Sequence, residues 1–269
     1  MKILKWSTPL MIVVFILCSC MDGDKTYTES YTENTPEEED INAVIYGVTV
    51  GTNALGSSIL VSLDKDGDLV EEIGPVGYYV NGLEYDKEND TLYGTTGNTD
   101  PSFKNGLIEI NTNTGEGTPI GTGAGRLVNN PTVNSEGEMF AWTENSDDLV
   151  RVDAAAGTVT VVGNSGLGTA EHGLDFDNDD NLIFVNYNGN IYRMNTATGA
   201  PTYLTSIGVM AHHGDFDPET GLYYGIDETW STMGYTSGPR NLLVVDVENG
   251  TIVDTLETID DLHAVTFTD

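Results

Sequence analysis

From residue 43 to residue 269, short apolar runs of Val, Ile, Leu and Tyr alternate with clusters of Gly, Asn, Asp and Thr. No long stretch carries apolar residues at helical spacing, so the pattern predicts strands and tight turns. The runs also repeat. "GLEYDKENDTLYGTT" (82–96), "GLDFDNDDNLIFVN" (173–186) and "GDFDPETGLYYGID" (214–227) share an aromatic-Asp ending, a polar turn and an apolar second strand, and "PTVNSEGEMFAW" (131–142) is a weaker copy. Each is followed by a third strand and a hairpin of one kind, as in "GLIEINTNTGEGTPIG" (106–121), "DLVRVDAAAGTVTVVG" (148–163), "NIYRMNTATGAPTYLT" (190–205) and "NLLVVDVENGTIVDTL" (241–256).

Four strands per repeat, at a spacing of roughly 40–50 residues, is the pattern of a β-propeller blade. Counting the copies predicts an all-β fold, a five-bladed β-propeller of four-stranded antiparallel blades. The earliest copy, "AVIYGVTV" (43–50) with "SILVSLDKDGDLVEEIG" (58–74), lacks a first strand, and "LHAVTFTD" (262–269) supplies one at the far end. The C-terminal strand should therefore join the N-terminal blade and remove a free sheet edge. The hairpin "LLVVDVENGTIVDTLETI" (242–259) resembles the repeat of bacterial extracytoplasmic propellers of the YVTN type. That resemblance covers 43–269, implies the architecture and says almost nothing about activity.

The opening "MKILKWSTPLMIVVFILCSC" has a basic start, an apolar run from Leu10 to Leu17 and a small-residue ending. It reads as a secretory signal, too short to span a bilayer, for which ~20 apolar residues are needed. Leu17-Cys18-Ser19-Cys20 resembles the lipobox of bacterial lipoproteins, which implies cleavage after residue 19 and acylation of Cys20, palmitate included. Residues 1–19 are then a signal peptide, 20–42 an acidic flexible tether and 43–269 the propeller. The implied location is the bacterial cell envelope, with the membrane reached through the N-terminal lipid. Cys18 leaves with the signal, so no disulfide framework is expected.

The chain has 43 acidic and 10 basic residues, a formal net charge of -33. Such a field excludes nucleic acid as a partner and gives no basic patch for anionic lipid. Acidic surfaces also keep a protein hydrated, and a monomer is expected.

The repeats supply a register. Tyr85, Val133, Phe176, Phe216 and Phe267 end the innermost strands, and four residues upstream stand Asn81, Asn129, His172, His212 and His263. In a propeller such a column rings the mouth of the central channel. His172, His212 and His263 come from adjacent blades and form a candidate site for a divalent transition metal, completed by Asn81 and Asn129. His213 is expected to point the other way. A second column, Glu84, Thr132, Asp175, Asp215 and Thr266, is read chiefly as acceptors for backbone N–H groups of the adjoining loop, with orientation of the histidines as the alternative. "DKDGD" (64–68) and "DFDNDD" (175–180) lack the Gly and Glu that an EF-hand loop requires, so turn chemistry accounts for them.

Two connections on the histidine face are enlarged, 95–106 and 227–241. The second holds Asp227, Glu228, Trp230, Tyr235 and Arg240, with Trp142 and Glu144 expected nearby as a surface for a glycan, a peptide or a surface protein. The reading is a lipid-anchored binding module with no certain cofactor. The alternative is a metal-dependent lyase or hydrolase built on the histidine ring.

Overall fold

The computed structural model describes residues 44–49, 56–144, 146–168, 172–227 and 239–268. The signal, Cys20 and the acidic tether lie outside the described residues. Among the described residues every regular element is a β-strand.

The strands form five separate four-stranded antiparallel sheets. Blade 1 runs β20 (Leu262–Phe267), β1 (Ile45–Thr49), β2 (Ile59–Leu63), β3 (Leu69–Pro75). Blade 2 is β4 (Val80–Asp86), β5 (Thr91–Thr96), β6 (Leu107–Ile110), β7 (Gly117–Ile120). Blade 3 is β8 (Val128–Val133), β9 (Met139–Thr143), β10 (Asp148–Asp153), β11 (Thr158–Asn164). Blade 4 is β12 (His172–Phe176), β13 (Leu182–Asn186), β14 (Asn190–Met194), β15 (Pro201–Ser206). Blade 5 is β16 (His212–Phe216), β17 (Tyr223–Asp227), β18 (Pro239–Asp246), β19 (Thr251–Asp260). The inner strands pack in the order β4, β8, β12, β16, β20 and back to β4. This is the five-bladed propeller read from the repeats, closed by the C-terminal strand.

Closure is visible in the packing. Five apolar clusters fill the five interfaces between neighbouring blades, including one that joins Tyr224 and Leu242 of blade 5 to Ile45, Val61 and Phe267 of blade 1. A middle strand is covered on both faces, so its side chains serve two interfaces in alternation. In β13, Leu182 and Phe184 face blade 3, while Ile183 and Val185 face blade 5. That double burial is why such strands read as unbroken apolar runs. The outer strands carry the exposed residues, as in β3 and β11.

Turn chemistry fixes the corners. Asp64 Oδ1 accepts the N–H groups of Asp66 and Asp68 at 3.0 and 2.9 Å, and Asp177 Oδ1 those of Asp179 and Asn181 at 3.0 and 2.8 Å. Both calcium-like segments thus engage these oxygens in their own turns. The enlarged connection at 95–106 is also folded down. Asp100, 2 % exposed, accepts Tyr79 N–H at 2.7 Å and the N–H groups of Ser102 and Phe103 at 2.8 Å.

Candidate functional site

Each inner strand begins at one end of the ring, here the upper mouth, and finishes at the other, the lower mouth. Between the mouths runs a closed circle of hydrogen bonds. Glu84 Oε1 accepts Val133 N–H at 2.7 Å, and Thr132 Oγ1 accepts Phe176 N–H at 3.3 Å. Asp175 Oδ2 accepts Phe216 N–H at 2.9 Å, and Asp215 Oδ2 accepts Phe267 N–H at 2.6 Å. Thr266 Oγ1 accepts Tyr85 N–H at 3.0 Å and completes the circle. Every donor belongs to the column Tyr85, Val133, Phe176, Phe216 and Phe267, and every acceptor to the column of Glu, Asp and Thr residues. The column does accept backbone N–H groups, but from the neighbouring inner strand and not from the adjoining loop.

The upper mouth departs from a simple ring of equivalent residues. In blade 5 the pairing with β17 slips between His212 and Asp215, leaving His213 in a bulge with φ 46°. A bulge re-aims a side chain. His213 therefore turns into the histidine cluster, 4.4 Å from His212 and 4.9 Å from His263 between ring centroids, which corrects the expectation that it faces away. Its Nδ1 donates to Asn130 Oδ1, and Asn130, φ 46°, occupies the matching bulge of blade 3. Asn130 Nδ2 in turn donates to the His172 carbonyl at 2.7 Å. The pair ties blade 5 to blades 3 and 4 across the axis.

His172 belongs to the only inner strand without a bulge among the described pairings, and its ring stacks on Phe184 at 5.0 Å and 16°. His212 and His263 are 6.1 Å apart. Among the described residues no three His, Cys, Asp or Glu side chains are placed to hold a metal ion. Asn81 Nδ2 donates to Asn129 Oδ1 at 3.2 Å, and Asn129 Nδ2 to Glu144 Oε1 at 2.6 Å. Burial raises the Glu144 carboxyl above its usual range, with the Asn129 bond and then His212 opposing.

The expected aromatic surface changes character. Trp142 is fully buried, packed at 4.4 Å on Phe184 and 5.5 Å on His172 in the core between blades 3 and 4. It cannot offer a face to a ligand, because β9 is a middle strand covered by a blade on each side. Arg240 is 5 % exposed and Asp227 half-buried. Glu228, Trp230 and Tyr235 lie outside the described residues.

The lower mouth is open. A cavity of about 510 Å³ sits there, with Glu84, Asp175 and Asp215 of the hydrogen-bonded circle among its lining. Asp86, Glu88, Asp177, Asp179 and Asp180 add carboxylates from the turns, and Lys87 is the one basic side chain among its described lining. Tyr85, Phe176 and Phe216 contribute aromatic rings. The acidic positions were readable singly as turn and ladder residues. Only ring closure gathers them.

Burial, followed by the charge of Asp215, holds the Glu84 carboxyl well above its ordinary range, with Val133 N–H opposing. Asp175 is raised likewise, by burial first and then by Asp215 and Glu84. The folded state thus binds protons more tightly at both groups than the unfolded chain does. Their contribution to stability is complete below the unfolded carboxyl range near ~4 and is lost as pH rises through the folded values. Asp246 runs the other way, held low by Asn249, so its contribution is lost only as pH falls below ~3.9. Thermal melts should therefore show a higher midpoint at pH 5 than at pH 8, and Glu84→Gln should narrow the gap. Equal pH dependence in the two proteins would contradict this.

No protein-family model matches the chain, and no curated protein is significantly similar in sequence. Solved structures are similar in fold. A chain of the nidogen/laminin complex matches with a TM-score of 0.57 at 13% identity, over 85% of this chain and 99% of that one. A protein of unknown function from Bacteroides thetaiotaomicron matches at 0.50 and 13%, over 77% of this chain and 56% of that one. TolB from Acinetobacter baumannii matches at 0.50 and 14%, over 83% and 53%. At these identities the likeness concerns the fold, and this chain spans about half the length of the last two.

Proposed function

We propose that the protein is a binding module of the bacterial cell envelope, anchored through a lipid on Cys20, whose propeller holds a peptide or protein partner at its lower mouth. The observation that carries this reading is the open cavity of about 510 Å³ at the lower mouth, whose described lining holds eight carboxyl groups and Lys87. Low-dielectric walls lined by one sign of charge focus the field and raise the local concentration of an oppositely charged partner. The ring supplies rigidity, since each inner strand is bonded to the next. Trp142 belongs to the core, so it lends no support to the upper face, and the lower mouth is the surface this reading rests on. The nidogen/laminin structure is that of a complex, which agrees with a binding role.

Photo-crosslinking in intact cells tests the reading. A photoreactive residue at Asn178, which lines the cavity, should yield a discrete adduct, whereas one at the exposed Tyr187, in the turn leaving β13 at the upper end, should not. An adduct from Tyr187 alone would reject the lower mouth as the binding face.

A further inference from the structure

The outer edge of blade 3 lacks the protection that the other four blades carry. An outer strand is paired on one side only, so its far edge offers backbone N–H and C=O groups to any extended chain unless charges or prolines guard it. β3 holds Glu71, Glu72 and Pro75, β19 holds Asp254, Glu257 and Asp260, β7 is four residues long with Pro119, and β15 starts at Pro201. β11, Thr-Val-Thr-Val-Val-Gly-Asn, has neither charge nor proline. Among the described residues the backbone of 158–162 makes no hydrogen bond beyond its pairing with β10, and Val161 is 46 % exposed on this strand. The far end of β11 abuts blade 4, since a Cβ on Gly163 would come within 2.0 Å of the Thr198 carbonyl oxygen in the turn that leads into β15. β15 carries no charge either, and Tyr203 on it is 57 % exposed, its ring edge-on to Tyr192 at 5.7 Å. Two consecutive rim strands are thus uncharged on a chain of formal net charge -33.

Charge separates the occupants that could pair with such an edge. A second copy of this chain would bring two strongly acidic molecules together, each of formal net charge -33, and their self-repulsion opposes that contact. A charged segment of another protein would set its charges beside a strand with none to answer them. An uncharged segment meets neither cost. We infer that β11 pairs with an extended, uncharged segment of a partner protein, rich in β-branched and hydroxyl residues, which adds a fifth strand to blade 3. In such pairing the backbone bonds supply affinity and alternate side chains supply selectivity, with Val161 as the exposed apolar contact on this strand. The site goes beyond the lower mouth, because no residue of β11 lines that cavity.

The test uses the full-length chain, purified in detergent, with the peptide acetyl-Ser-Val-Thr-Ile-Ser-Val-Thr-amide as the probe. Two further peptides are run in parallel, one N-methylated at alternate backbone nitrogens and one with lysine at the hydroxyl positions. The first peptide should bind and slow amide exchange across residues 158–162 at least about tenfold, with β3 and β19 unaffected. N-methylation should abolish the effect, and so should lysine. Val161→Glu, at an exposed position, should keep the thermal midpoint and lower affinity at least about tenfold, because it sets an unanswered charge against the partner. Val253→Glu, at the 56 % exposed position of β19, should leave binding unchanged. Absence of protection by the first peptide, equal binding of the N-methylated peptide, equal protection of β19, or full binding by Val161→Glu would overturn the proposal. A dimer seen by sedimentation without peptide, with the amides of 158–162 protected in it, would overturn it as well and assign the edge to a second copy.

Discussion

A chain ending at residue 261 should fail to form a stable monomer. Its loss removes the whole of β20, six residues that are all buried, including Leu262, Ala264, Val265 and Phe267 in the apolar clusters on both sides of blade 1. At ~1.5–3 kcal/mol for each large apolar side chain, Leu262, Val265 and Phe267 alone account for roughly 5–9 kcal/mol. That is comparable with the ~5–15 kcal/mol total stability of a typical domain. Two of the five links in the inner circle go as well, since Thr266 accepts from Tyr85 and Phe267 donates to Asp215. The inner edge of β1 is left unpaired, so aggregation is the expected fate. Size-exclusion chromatography and a thermal melt decide it. A truncated chain that stays monomeric with an unchanged midpoint would contradict closure by the C-terminal strand.

Trp142→Ala should be nearly as damaging. Removing a fully buried Trp typically costs ~3–5 kcal/mol, whereas a surface substitution away from special features costs less than ~0.5 kcal/mol. For a domain of this size each kcal/mol shifts the midpoint by ~2–4 °C, so a fall of roughly 6–20 °C is expected. Binding at the lower mouth should follow the folded fraction alone. An unchanged midpoint with lost binding would return Trp142 to a recognition surface.

The number of blades, the strand exchange and the inner column were legible because period-2 burial and turn residues leave local marks at every repeat. Tyr85, Val133, Phe176, Phe216 and Phe267 fall in one register for that reason. The bulges left no such mark. Counting back from Phe216 finds His212 correctly, yet the slip between His212 and Asp215 sets the direction of His213, and an added residue has no hydrophobic signature. A second slip, between Asn129 and Thr132 in blade 3, places Asn130 within hydrogen-bond reach of His213. For Trp142 the sequence does carry a signal: "MFAW" is an unbroken apolar run in a second strand, the sign of burial on both faces. The lower mouth was the hardest feature to see. Asp86 and Asp177 each have a local explanation, in Asn89 and in turn N–H groups, whereas Asp180 accepts Ser135 N–H from the neighbouring blade, and nothing local says that the three meet around an axis.

The central claim is that one circle of inner-strand hydrogen bonds both closes the propeller and floors the acidic mouth. Residue-resolved amide hydrogen exchange measures that circle directly. The N–H groups of Tyr85, Val133, Phe176, Phe216 and Phe267 should exchange together, at the slowest rates in the protein and only through global unfolding. Rapid exchange of Phe267 or Tyr85, with the other three protected, would mean an open ring and would contradict the account.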